Sequence, residues 1–323
     1  MRCSTPVSLV EARQQQSLRQ TESSIDRAIR SLVLIATLTS AVACTTTQGG
    51  SNATASGSSA SSTVSANAAA GDQGLPPDAE HALSRLNSSP RHGEWAMISI
   101  PPSDSVRAWI VYPERKTKAP VVVVVHEIFG LSDWIRGVAD QLAADGFIAI
   151  APDFLTMKNL PQGSDSAATQ AAVAAIRTLD AEQVQRMIDG AARYAMALPA
   201  AQPRYGVVGF CWGGGVSFEH ATHAPSLGAS VVYYGVSPKT EKLSMVKAPV
   251  LGLYGGNDAR VDATIPPADS AMRALGKTYS PNLFDGAGHG FLRQQTGQSG
   301  ANLTATQKAW PATIAWFKRY LGA

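Results

Sequence analysis

The chain has 323 residues, 45% of them hydrophobic, and the part beyond about residue 80 is long enough to bury the core of one large α/β domain. Its net charge is +3 and its Lys and Arg are scattered, so no basic face invites nucleic acid and that class of partner is excluded.

At the amino end, Arg27 and Arg30 precede an apolar run from Ser31 to Ala43. The run is too short for a comfortable membrane span and suits the apolar core of a secretory signal. Residues 1–43 are therefore expected to be a signal, 44–80 a flexible Ser/Ala/Thr-rich linker, and 81–323 the folded domain. Ala41-Val42-Ala43-Cys44 resembles a bacterial lipobox. The resemblance implies lipidation of Cys44, a lipoprotein on the periplasmic face of a bacterial membrane, and no membrane contact other than that anchor. Ordinary cleavage after the small residues, giving a soluble periplasmic protein, is the alternative. From Thr45 to Gly71 almost no large apolar residue occurs, so burial cannot offset the entropy of ordering, and a tether is expected. With Cys3 removed in the signal and Cys44 used for lipid, Cys211 is the one thiol left in the exported domain, which can then form no internal disulfide.

Met97 to Tyr112 alternates apolar and polar residues around a turn at Pro101–Asp104, which predicts an antiparallel hairpin. Val121 to Val125 is a continuous β-branched run, the mark of a strand buried on both faces. Ser132 or Asp133 caps a helix to about Ala144, Gly146 ends it, and Phe147 to Ala151 is the next strand. Further helices are expected at about Ala167–Thr178 and Ala181–Ala197, and strands near Tyr205–Phe210, Ser230–Tyr234, Val250–Tyr254 and Tyr279–Phe284. A last helix from about Thr306 to Leu321 carries Trp310, Ile314, Phe317 and Leu321 at helical spacing. Strands alternating with helices imply an α/β fold with a mostly parallel central sheet, helices on both faces, and sites at the carboxyl ends of the strands.

The strongest chemical signal is Gly209-Phe210-Cys211-Trp212-Gly213, between an apolar strand and a helix. It has the form of the G-x-S-x-G nucleophile elbow with sulfur in place of oxygen, and glycines are needed there because side chains would strike neighbouring backbone. A helix amino terminus beside Cys211 favours the reactive thiolate. A buried cysteine in a Gly-rich turn is the bland alternative. Asp258 and His289 each follow a predicted strand, and the order nucleophile, acid, histidine is that of α/β-hydrolases, which makes Cys211, Asp258 and His289 a candidate triad. His220 and His223 ride the helix after Cys211 and point away from the elbow. The same motif geometry assigns the oxyanion hole to the backbone N–H groups of Trp212 and Ile128. The Trp212 ring is either pocket wall or packing.

With these motifs, the stretch from Pro120 to Leu321 resembles the dienelactone hydrolase family, whose hallmarks are a Cys-Asp-His triad and a glutamate after the first central strand, here in Val125-His126-Glu127-Ile128-Phe129-Gly130. The resemblance implies that Glu127 helps generate the thiolate when substrate arrives, the alternative being a structural carboxylate paired with an arginine. It also implies that Arg293, four residues after the histidine, binds a substrate carboxylate, the alternative being a surface arginine. The family's other carboxylate-binding arginine has no counterpart; Arg177 is out of register.

The expected activity is hydrolysis of a small ester or lactone, possibly one bearing a carboxylate, through a thioester on Cys211, by a monomer that requires no metal or organic cofactor. A serine-type esterase or peptidase-like activity on the same fold, or a noncatalytic envelope lipoprotein using the fold as a binding scaffold, are the alternatives.

Overall fold

The computed structural model describes residues 74–158, 160 and 166–322. The expected signal, Cys44 and most of the expected linker lie outside the described residues. From the linker's end, residues 75–79 are instead docked on the domain: Pro76 and Pro77 are buried, Trp134 Nε1 donates to Pro77 O at 3.0 Å, and Gln295 Nε2 donates to Pro76 O at 2.9 Å. The two prolines cannot donate to a helix or a ladder, so they lie as an extended strap whose carbonyls face two buried donors.

Strands β1 (Gly93–Ile100) and β2 (Asp104–Val111) form the expected antiparallel hairpin, closing at Ile100 opposite Asp104. Next in the chain come β3 (Ala119–Val125), β4 (Ile148–Asp153), β5 (Ala201–Phe210), β6 (Ala229–Tyr233), β7 (Val250–Gly255) and β8 (Tyr279–Phe284). They assemble in the order β1-β2-β4-β3-β5-β6-β7-β8, with β2 antiparallel to β4 and every later pairing parallel.

The valine run of β3 shows why the sheet is covered on both faces. Val121, Val123 and Val125 join one apolar cluster and Val122 and Val124 the other, all fully buried, because successive strand side chains point to opposite faces. Helices α1 (Ala82–Asn87), α2 (Asp133–Ala144), α3 (Ser166–Ile176), α4 (Ala181–Met196), α5 (Trp212–His223), α6 (Ala259–Asp262), α7 (Ile265–Ala274) and α8 (Ala301–Leu321) surround it. The first cluster is closed by α4, α5 and α7, and the second by α2 and α8. Each large aliphatic or aromatic side chain taken from water here contributes about 1.5–3 kcal/mol.

Ser132 caps α2, as the sequence indicates. Several features depart from expectation, two of them in the second half of the chain. Helices α6 and α7 occupy the segment between β7 and β8, with prolines in the first turn of α7, where their missing N–H groups cost nothing. Helix α8 begins at Ala301, five residues earlier than Thr306, because Gly300 takes the left-handed conformation (φ 91°) that turns the chain into the helix.

Candidate active site

Four strands deliver the candidate residues to one edge of the sheet, at their carboxyl ends: Glu127 after β3, Cys211 after β5, Asp258 after β7 and His289 after β8. Cys211 sits between β5 and α5 with φ 57° and ψ −115°, a strained turn for a residue with a side chain, of order 1–3 kcal/mol. Its N–H donates to Tyr233 O at 3.1 Å, and its C=O accepts the first helical bond from Gly215 N at 3.2 Å. The glycines around it are sterically required. A Cβ on Gly209 would lie 1.9 Å from Gly213 O, and one on Gly213 would lie 2.4 Å from both Val125 O and His126 O.

His289 Nδ1 lies 2.5 Å from Asp258 Oδ2, and Asp258 is only 8% exposed. With Nδ1–H donated to this carboxylate, Nε2 is left as the nitrogen free to take a proton. The loop carrying His289 is pinned from outside its own strand. Gly288 N donates to Asn302 Oδ1 at 2.9 Å, Asn302 Nδ2 donates to Gln294 O at 2.7 Å, and Asn257 N donates to Ala287 O at 2.9 Å. The ring of Tyr234, itself at φ 39°, packs 5.1 Å from that of His289. Among the described residues, no hydrogen bond joins the Cys211 sulfur to His289.

The electrostatics of the thiol differ in part from expectation. Burial pushes the Cys211 thiol above its ordinary pKa, and the nearby Glu127 adds to the rise. The backbone N–H groups of Trp212 and Ile128 and the charge of Arg260 pull it down without overcoming burial. The helix terminus thus moderates the thiol and does not by itself hold a thiolate. The two N–H groups expected to form the oxyanion hole both act on the sulfur.

Glu127 is 4% exposed, and burial pushes its carboxyl up to about 7 against the pull of Arg293. Arg293 Nε stands 2.8 Å from Glu127 Oε1, but the N–H is not aimed at the oxygen, so the contact is Coulombic and neither atom has a hydrogen-bond partner. The Tyr234 hydroxyl, buried and close enough to Glu127 and Cys211 to feel both, is likewise unpartnered. Arg293 also lies over the Phe129 ring, 4.8 Å from its centroid.

Sequence reasoning passed over His126, which fixes the loop bearing Glu127 and Ile128. Its Nδ1–H donates to Glu127 O at 2.8 Å, its Nε2 accepts from Phe154 N at 3.2 Å, and its ring stacks on Trp212 at 5.7 Å. Burial lowers its pKa and keeps it neutral, as one donor and one acceptor require. The Trp212 ring both packs on His126 and lines the cavity above Cys211. His220, bonded to Tyr205 and Gln185 inside the domain, points away from the elbow as expected.

The cavity that opens over Cys211 has a volume of about 430 Å³ and is walled mainly by Ile128, Leu179, Val184, Trp212, Val216 and Val236. Arg293 does not line it. It borders a separate depression with Asp78 and Glu80.

Residues 106–321 match the model of the dienelactone hydrolase family. A protein of Methylorubrum extorquens named "Putative carboxymethylenebutenolidase" is 33% identical over 239 residues, covering 69% of this chain and 80% of the relative. The mouse "Carboxymethylenebutenolidase homolog" is 30% identical over 224 residues, covering 64% of this chain and 86% of its own length. Among solved structures, the "Putative Dienelactone Hydrolase" of Klebsiella pneumoniae superposes with a TM-score of 0.62 at 28% identity, over 71% of this chain and all of that one. The fold, the matched span and these relatives agree: the chain belongs to the dienelactone hydrolase family and is a hydrolase of the α/β-hydrolase fold.

Proposed function

We propose that the chain hydrolyses a small ester or lactone through a thioester on Cys211. The observation that carries this reading is the 2.5 Å pairing of His289 with the buried Asp258 at the sheet edge where the glycine elbow presents Cys211.

At rest the sulfur is a thiol. Its proton leaves to His289 Nε2, and Asp258 stabilises the imidazolium that forms. Glu127, with its carboxyl near 7, is basic enough around neutral pH to share this task. Its loose contact with Arg293 lets its charge respond when a substrate enters. The thiolate forms a bond to the carbonyl carbon, and the carbonyl pair moves onto oxygen, where the N–H groups of Trp212 and Ile128 receive it. Collapse breaks the ester C–O bond, and the imidazolium protonates the departing oxygen. Water, deprotonated by His289, then attacks the thioester and expels the thiolate. A thiolate is itself a good leaving group, so activated esters and lactones suit this site better than amides.

Cys211→Ala is expected to abolish turnover of a p-nitrophenyl ester while leaving the circular-dichroism spectrum unchanged. Full activity in that variant would remove the sulfur from the mechanism.

A further inference from the structure

Ala181, Val184 and Gln185 stand at positions i, i+3 and i+4 of α4, so one face of that helix walls the cavity over Cys211. The first two are apolar. Gln185 is only 6% exposed, a depth at which a carboxamide ordinarily has its hydrogen bonds met. Half of it is met: Gln185 Oε1 lies 2.6 Å from His220 Nδ1. An amide oxygen can only accept, so Nδ1 carries a proton. Burial lowers the pKa of His220 to about 3 and keeps the ring neutral, which leaves Nε2 to accept from the Tyr205 hydroxyl at 3.1 Å. Asp189 stands 3.9 Å from the same nitrogen, beyond hydrogen-bond reach. Tyr205, His220 and Gln185 thus form a relay with one direction of donation. The carboxamide is planar, so fixing its oxygen against His220 turns its NH2 the opposite way. That nitrogen has no hydrogen-bond partner among the described residues, yet it is not sealed in the core. The hydrolytic steps above give this amide no part.

We propose that Gln185 is a specificity-determining residue of the Cys211 cavity, whose amide NH2 donates a hydrogen bond to a neutral acceptor oxygen, of the ether or ketone kind, in the otherwise apolar body of the substrate. Tyr205 and His220 are positioning residues that hold the amide oxygen inward and the NH2 toward the cavity. This deepens the hydrolase reading above and rests on it for the word substrate. A wholly hydrocarbon chain strips water from the NH2 and offers nothing in return, whereas an acceptor oxygen restores the lost bond, and discrimination follows from that difference. Because the donor is single and oriented in an apolar wall, the place of the oxygen along the chain is selected as well as its presence.

Two measurements on the full chain separate the subsite from the chemistry. In the first, kcat/KM is compared for p-nitrophenyl heptanoate and its analogues in which an ether oxygen replaces the fourth, fifth or sixth carbon, each value divided by the alkaline hydrolysis rate of that ester. The wild type is expected to favour one oxa ester over the hydrocarbon ester, and Gln185→Leu to lower that ratio by about 5- to 50-fold, mostly through KM. Tyr205→Phe, which releases the His220 ring and with it the amide, is expected to lower the ratio part of the way. The ratio cancels any general change in thiol reactivity. In the second, the primary amides of the same acids compete with iodoacetamide for Cys211, followed by peptide mass. The favoured oxa amide is expected to protect Cys211 at a lower concentration than heptanamide in the wild type, and at the same concentration in Gln185→Leu. A wild type that favours no oxa compound in either measurement, or an unchanged preference in Gln185→Leu, would overturn the proposal, and an unchanged preference in Tyr205→Phe would overturn the relay. If the wild type cleaves none of the esters, hydrolysis at this site fails, and the protection by amides still decides the role of Gln185.

Discussion

Glu127 shows how one buried side chain couples stability to chemistry. Its carboxyl is raised from the ordinary 4.5 to about 7, so between those values the folded chain holds a proton that the unfolded chain has released. Stability then falls as pH rises through that window, because the folded state must bury a charge that the unfolded state leaves in water. The drop in melting temperature between pH 5 and pH 7.5 should be smaller in Glu127→Gln than in the wild type, read by calorimetry. The same substitution should remove the rise of kcat/KM as pH climbs through about 7, if Glu127 shares the proton transfer. The position of Glu127 was legible from the stretch after the valine strand. Its pairing with Arg293 was not, since 166 positions separate them and only the fold brings the two side chains to 2.8 Å. The helix terminus does favour the thiolate, as its sequence position indicates, but the burial that outweighs it is set by the fold and cannot be read from the chain.

At the scale of elements, hydrophobic pattern located the strands well, because continuous β-branched runs have few other uses. It did worse where local composition is mixed. The prolines and polar residues of α7 conceal its helical spacing, and the first turn of α8 precedes the apolar stripe by which helices are recognised. That overlooked turn matters to the site, since it carries Asn302, whose amide satisfies the buried Gly288 N–H in the histidine loop. Asn302→Ala would leave that donor without a partner, at about 1–3 kcal/mol, and should lower kcat more than KM by loosening His289. Steady-state kinetics on the variant checks the split. Farther along the helix, Phe317 is fully buried and packs on Phe147 at 5.8 Å and against Gly206 of β5. Phe317→Ala should cost about 3–5 kcal/mol in urea unfolding with little change in KM, because it removes core volume far from the cavity.

For the whole molecule, the order Cys211, Asp258, His289 and the parallel sheet were readable from the chain, since glycine-bounded loops after apolar strands mark the carboxyl edge. The docked strap was not, because Leu75 to Ala79 shows neither helical nor strand spacing and its partners Trp134 and Gln295 lie far along the chain. Their buried prolines and their bonds to Trp134 and Gln295 make them part of the fold. A chain begun at His81 should accordingly lose roughly 2–4 kcal/mol in urea unfolding, from the hydrogen bonds made by Pro76, Pro77 and Ala79 and the exposed apolar surface. Ala79 N also donates to Arg293 O at 3.0 Å, so the strap braces the residue that faces Glu127. The sheet edge gathers a sulfur, a histidine and a buried carboxylate, the group proposed above to carry covalent hydrolysis. Rapid quenching of the full chain with p-nitrophenyl butyrate, followed by peptide mass analysis, tests it most directly. The account predicts a butyryl group on Cys211 that hydroxylamine removes and that builds up further in His289→Ala whenever acylation still occurs. A butyryl group on another residue, with turnover persisting in Cys211→Ala, would contradict it.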